Sequence, residues 1–294
     1  MKKILCFGEV LWDMLPSGKK PGGAPMNVAF HANNFGMHSS LISSVGNDDL
    51  SKELLDFFAA KNVDTSLIQI NQEFPTSTVQ VQLDEKGHAA YEIVQPVAWD
   101  FIRLTTEALE AVKQCDAFIF GSLALRSEMS RKSLEEYIKH AKLKVLDVNL
   151  RAPHYAKSLV DWLFTQANIV KLNDEELELI GSWFTNAKGL EDKANALTDI
   201  YHWQSLIVTQ GGDGAFVVEK GKVYQHGGIT IQVEDTVGSG DSFLAAFLAH
   251  KLQGLETQTC LKYACATGAF VATQKGGTPV FNKQDIEHFL TSKR

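Results

Sequence analysis

The chain has 294 residues, 45% hydrophobic and 21% charged, with a formal net charge of −7. That length suits one or two domains around a sizeable core, and the composition is not that of a disordered chain. An acidic balance without a basic run argues against nucleic acid as a partner. No stretch approaches the ~20 apolar residues of a membrane span.

Cys6, Cys115, Cys260 and Cys265 form no C-x-x-C pair, so free thiols in a reducing compartment are expected. Behind Lys2 and Lys3, Glu9 and Asp13 interrupt the apolar start too early for a signal peptide. A cytoplasmic protein is the expectation.

In chain order, Ile4-Leu5-Cys6-Phe7, Ala117-Phe118-Ile119-Phe120, Val145-Leu146, Asn168-Ile169-Val170 and Leu206-Ile207-Val208 read as buried parallel strands. Between them lie helical stripes. Leu134, Tyr137, Ile138 and Ala141 form one, with Ser133 and Glu136 as a capping box. Leu244, Phe247, Leu248 and Leu252 form another, and a third helix is expected from Thr257 to about Lys275. The alternation argues for a mainly parallel α/β sheet. One segment departs from it. Val79, Val81 and Leu83, then Ala89, Tyr91 and Ile93, alternate around the turn Asp84-Glu85-Lys86-Gly87. This is an antiparallel hairpin: an edge of the main sheet, a lid or a subunit contact.

Polar motifs follow the strands. Gly8-Glu9 and Asp13 follow the first, Asp147-Val148-Asn149-Leu150-Arg151 the third, Lys171-Leu172-Asn173-Asp174-Glu175-Glu176 the fourth, and Thr209-Gln210-Gly211-Gly212-Asp213-Gly214 the fifth. Ligands of open parallel sheets bind beyond the carboxyl ends of the strands, so these motifs converge on one edge. The sharpest motif is Asp235-Thr236-Val237-Gly238-Ser239-Gly240-Asp241, directly before an apolar helix. Small residues allow close backbone approach, and helix-start amides attract anions. A carboxylate beside them can take a hydroxyl proton; the bland reading is a turn with Asp241 as helix cap.

With these residues in view, the chain resembles the ribokinase-like, PfkB-type carbohydrate kinases. The heptad is similar to their C-terminal signature, and Gly22-Gly23-Ala24-Pro25-Met26-Asn27-Val28-Ala29, closing at Phe35-Gly36, to their N-terminal one. Val45-Gly46-Asn47-Asp48-Asp49 and the motifs at Asp147, Asn173 and Thr209 stand in family order. Gly-Gly-Ala-Pro-x-Asn and Gly8-Glu9-x-x-x-Asp13 look most like the fructokinase branch.

The resemblance implies a three-layer α/β sandwich with a mainly parallel central sheet and a small β lid. It implies one domain over 1–294, the lid formed mainly by about 74–97 with parts of 9–24. Closure would keep water from competing with the sugar hydroxyl. ATP and Mg²⁺ are the implied cofactors, and the reaction is γ-phosphoryl transfer to a hydroxyl of a small sugar, fructose foremost. Asp241 is the implied base, with Gly238, Ser239 and Gly240 as anion hole. Asp13, Gly22, Gly23 and Asn27 are the sugar-side candidates; turn glycines and a helix-capping Asn27 are the alternative. Arg151 is open between the sugar, a carboxylate on it, an ATP phosphate and a structural ion pair. Arg126 is a further sugar-side candidate, and Trp99 a lid wall or a core residue.

Asn173 and Glu176 are implied in the Mg²⁺–phosphate network, Glu176 through water, against an ordinary acidic helix start. Thr209, Gly211 and Gly214 fall on the nucleotide side, although Gly-Gly-Asp-Gly also suits a hairpin turn. Cys265 stands where many relatives carry Asn, which points to a less polar base pocket. A monovalent cation such as K⁺ among carbonyls near Asp235, Val237, Gln274 and Gly276, and a homodimer through the lid, are further expectations. The alternatives are a 2-keto-3-deoxygluconate kinase, with Arg151 at the carboxylate, and a non-catalytic sugar or nucleotide sensor. A dehydrogenase lacks its G-x-G-x-x-G here, Walker A is absent, and the nine histidines form no H-x-x-x-H zinc pair.

Overall fold

Short apolar runs build the middle of a large sheet. The computed structural model describes residues 1–15, 18–83 and 89–292, without the side chains of 81–83 and 89–91. The strands are β1 (Lys3–Phe7), β2 (Leu11–Leu15), β3 (Gly18–Gly22), β4 (His38–Gly46), β5 (Ile68–Asn71), β6 (Ser77–Leu83), β7 (Ala89–Ile93), β8 (Ala117–Phe120), β9 (Lys144–Asp147), β10 (Ile169–Asn173), β11 (Ser205–Thr209), β12 (Gly214–Glu219) and β13 (Lys222–Gly227). The helices are α1 (Ala24–Asn34), α2 (Asp49–Ala60), α3 (Thr106–Gln114), α4 (Glu128–Ile138), α5 (Lys157–Gln166), α6 (Asp174–Phe184), α7 (Leu190–Tyr201), α8 (Ser239–Lys251), α9 (Thr257–Ala272) and α10 (Lys283–Ser292).

Among the described residues the large sheet runs β13-β12-β11-β10-β9-β8-β1-β4-β5. It is parallel from β11 to β5, with β12 and β13 antiparallel at one edge. Side chains alternate across it. Leu5 and Phe7 join a core with residues of α3 to α7, whereas Ile4 and Cys6 join a core with residues of α1, α2, α8 and α9. Two helical layers therefore flank the sheet. The five apolar runs read from the sequence lie in adjacent strands at its centre.

The hairpin is not an edge of that sheet. β6 and β7 pair antiparallel, β2 lies parallel to β6, and β3 closes a separate four-stranded sheet, β3-β2-β6-β7. Val79 pairs with Ile93, and in register Val81 with Tyr91 and Leu83 with Ala89. The expected turn at 84–87 lies outside the described residues, as do the side chains of Val81, Leu83, Ala89 and Tyr91.

Two expectations are corrected. The capping box at Ser133 is absent, because α4 already starts at Glu128 behind Ser127. Ser133 is buried mid-helix and donates to Ile102 O at 2.8 Å. The third helix stops at Ala272, where Glu234 and Asp235 N–H take its terminal carbonyl.

Candidate active site

The carboxyl ends of β1, β9, β10 and β11 and the starts of α1, α6 and α8 converge at one edge of the large sheet. Asp241 is the third residue of α8. It does not cap the helix: Gly238 does, with φ +74°. A methyl on Gly238 would lie 2.3 Å from Gly277 O, so both the sign of φ and the close approach require glycine. The His31 imidazole of α1 fixes that neighbour, with Nε2 2.8 Å from Gly277 O. The first intrahelical bond of α8 runs from Ser242 N–H to Gly238 O, so the Gly240 and Asp241 N–H groups have no acceptor within the helix. Ser239 is different. Its N–H donates to Thr236 O at 3.2 Å and its hydroxyl to Gly268 O at 3.0 Å, so it braces the loop.

On the other side of Asp241 stands α1. Asn27 is the fourth residue of this helix rather than its cap, which is Gly23. Asn27 is buried, and its Nδ2 donates to Asp241 Oδ2 at 2.7 Å. Gly23 has φ +117°, and a methyl there would meet Glu9 O at 2.4 Å; the chain turns from β3 into α1 hard against the end of β1. Gly22 ends β3 opposite Leu11, and the Asp13 carboxylate lies over it. Burial raises the Asp13 pKa against the pull of Arg151 and Lys20. Arg151 follows Asn149, is exposed and donates only to Leu150 O among its described contacts, at 3.0 Å.

Asn173 and Glu176 form a reciprocal capping box at the start of α6. Asn173 Oδ1 accepts from Glu176 N at 2.7 Å, and Glu176 Oε2 from Asn173 N at 2.9 Å. Glu176 Oε1 also accepts from Leu150 N at 2.7 Å. Both carboxylate oxygens are thus committed to amides, which suits contact with a metal through water and not direct ligation. A cleft of about 450 Å³ opens beside α8, lined by Asn173, Thr209, Gly211, Gly214, Gly240 and Cys265 among others. Gly211 and Gly214 flank the turn joining β11 to antiparallel β12, so the hairpin reading of this glycine run also holds. Ile229, Ile231 and Val233 give the cleft an apolar wall. Burial pushes the Cys265 thiol up to about 12, which leaves it a neutral, weakly polar surface.

Burial pushes Asp241 up to about 6, with Asp147 adding to the effect and Lys171, Asn27 and Arg151 opposing it. Glu9 is pushed up to about 7 by burial; it faces a cavity of about 10 Å³ shared with Ser122, Asp147 and Asn149. Lys171, Asp147 and Glu9 lie in the converging motifs, but the sequence alone assigns them no individual role. A lysine among the apolar residues of β10 was the available signal.

Arg126 is engaged by the body of the protein. It is buried, binds Asp100 through Nε at 2.7 Å and Nη2 at 2.8 Å, and donates to Val94 O at 2.9 Å. Its guanidinium lies 4.0 Å from the Trp99 ring centroid, and Trp99 is a core residue. Asp235 Oδ1 accepts from Val237 N and Oδ2 from Gly276 N, each at 3.0 Å, and Lys20 Nζ of the small sheet lies 3.6 Å from Oδ2. No helix among the described residues is long and apolar enough to cross a membrane.

Residues 2–284 match the pfkB family carbohydrate kinase. The chain belongs to that family. This kinase is 30% identical to the fructokinase of Salmonella typhimurium, over 93% of this chain and 94% of that protein. It is 27% identical to the probable fructokinase-7 of Arabidopsis thaliana, over 99% and 93% of the two chains. The crystal structure of a fructokinase from Vibrio cholerae O395, in fructose-, ADP- and calcium-bound form, superposes with a TM-score of 0.85 at 24% identity over 99% of both chains. The fold of this kinase is therefore the ribokinase-like three-layer sandwich, with its smaller sheet as lid. It is an ATP-dependent sugar kinase.

Proposed function

We propose that this kinase transfers the γ-phosphoryl group of ATP to a hydroxyl of fructose, with Asp241 as general base. The observation that carries the reading is the position of Asp241. It sits at the junction of the cleft and the sugar-side loops, held by Asn27 at 2.7 Å, at the start of a helix whose Gly240 and Asp241 amides are unspent. Asp241 takes the hydroxyl proton as the sugar oxygen attacks the γ-phosphorus in line. The new O–P bond forms, the bond to the β-phosphate oxygen breaks, and ADP leaves. The two amides hold charge growing on the transferred group. Asp13, Gly22, Gly23 and Asn27 orient the sugar; Asn173, Thr209, Gly211, Gly214 and Cys265 line the nucleotide side.

Glu176 and Asn173 would hold Mg²⁺ through water, where the ion supplies charge compensation to the phosphates. A monovalent cation belongs to the proposal only at backbone carbonyls of the loops around Asp235, because amides and Lys20 already occupy its carboxylate.

Fructokinase relatives at 27–30% identity support fructose as acceptor. The exposed Arg151 guanidinium, which faces Asp13 electrostatically, favours a second reading: a keto-acid acceptor such as 2-keto-3-deoxygluconate. ADP release with ATP and Mg²⁺, fructose and the keto-acid side by side, separates the two. Strong preference for fructose supports the first reading. Preference for the keto-acid places Arg151 at its carboxylate, and release with neither removes both assignments.

A further inference from the structure

β10 carries Ile169, Val170 and Leu172, all buried, and between them Lys171, only 6% exposed. A lysine in such a strand is costly unless paired. Its ammonium contacts both oxygens of the Asp147 carboxylate, each at 2.9 Å. An apolar pair of the same shape would serve the fold as well or better, so packing alone does not account for the charges. Their surroundings do. A methyl on Gly240 would lie 3.5 Å from Lys171 Nζ, so the ammonium packs beneath the backbone that leads into Asp241.

We propose that Lys171 is a positioning residue of the phosphoryl-transfer site: fixed by Asp147, it supports the Gly240 turn and keeps the Asp241 carboxyl ready to accept a proton. The inference rests on the reading of Asp241 as the base. The groups facing Asp241 are Asp147 from β9, Lys171 from β10, Arg151 from the loop after β9 and Asn27 from α1, with Cys6 and Glu9 at the end of β1 also within its field. Those facing Lys171 are Asp147, Asp241 and Glu176; burial works to strip its proton, yet their combined charge raises its pKa. Asp147 and Lys171 act on Asp241 with opposite signs. Lys171→Met leaves Asp147 uncompensated and favours the protonated Asp241. Asp147→Asn removes the like charge, keeps the ammonium and favours the carboxylate.

The test is the pH dependence of kcat/KM with ATP, Mg²⁺ and fructose in Lys171→Met, Asp147→Asn and the double variant. Alongside it runs a substrate-free carboxyl ¹³C NMR titration of Asp241, assigned by its loss in Asp241→Asn. The expected result is a midpoint about one pH unit higher in Lys171→Met, which is about tenfold less kcat/KM on the acid limb, and a lower midpoint in Asp147→Asn. Should Lys171→Met not fold, the double variant must titrate above Asp147→Asn. An NMR midpoint unmoved in Lys171→Met, or shared by the double variant and Asp147→Asn, overturns the inference. NMR midpoints that move as expected while the kinetic limb stays fixed support the action of Lys171 on Asp241 and remove Asp241 as base.

Discussion

Asn27 and Asp241, 214 positions apart in sequence, meet through a 2.7 Å hydrogen bond from Asn27 Nδ2 to Asp241 Oδ2. The bond ties the first turns of α1 and α8 together across the end of the large sheet. It also favours the ionised carboxyl, because a donor is aimed at it. Asn27→Leu keeps the volume and removes the donor. The expected outcome is a loss of kcat/KM of about tenfold or more near pH 6, narrowing toward pH 8.5 as Asp241 ionises regardless, down to a pH-independent remainder from the lost sugar contact. Steady-state rates across pH check it.

In the wild type, kcat/KM is expected to fall as pH drops through about 6, the value to which burial pushes Asp241. The same carboxyl weakens the fold. Between the ordinary value of 3.8 and about 6, the folded chain holds a proton that the unfolded chain has released. Stability contributed by this group therefore falls through that window, and the cost is complete above it. Asp241→Asn is expected to unfold at a temperature higher by a few degrees at pH 7.5, reflecting about 1–3 kcal/mol, with no gain near pH 3.5. Thermal unfolding of both proteins at the two pH values decides this.

The Arg126–Asp100 pair anchors the segment that leaves β7 at Val94 to the body beneath Trp99. Removing one partner leaves a buried charge alone. Arg126→Met is expected to cost about 3–5 kcal/mol of stability while ATP affinity in the surviving folded fraction stays within twofold. Chemical denaturation and calorimetric ATP titration read the two effects separately.

Gly238→Ala brings a methyl against Gly277 O and needs φ +74° from alanine. The turn must shift, and with it the Gly240 and Asp241 amides. The expected effect is about 10²-fold on kcat, the scale of a lost anion-hole donor, with a smaller effect on sugar KM.

Periodicity located the strands that are buried on both faces, because a continuous apolar run is what such burial demands. It did not find β4, whose Ser39, Ser40, Ser43 and Ser44 break the run. Their burial is explained by tertiary partners, as where Ser43 Oγ donates to Gly8 O at 2.7 Å. The motif residues were legible because Gly238 and Gly23 answer backbone needs that only glycine meets. The ion pair of Arg126 was not legible because its partner Asp100 and the Trp99 ring come together only in the fold. Lys171 opens one of the converging motifs but carries no role in the sequence for the same reason: its partners Asp147 and Gly240 lie on neighbouring elements.

The most direct test of the account is Asp241→Asn assayed for turnover and for binding in the same preparation. The predicted result is a kcat reduced by about 10³-fold or more with ATP and fructose dissociation constants within a few-fold of wild type. A variant that phosphorylates the sugar at near wild-type rate would contradict it.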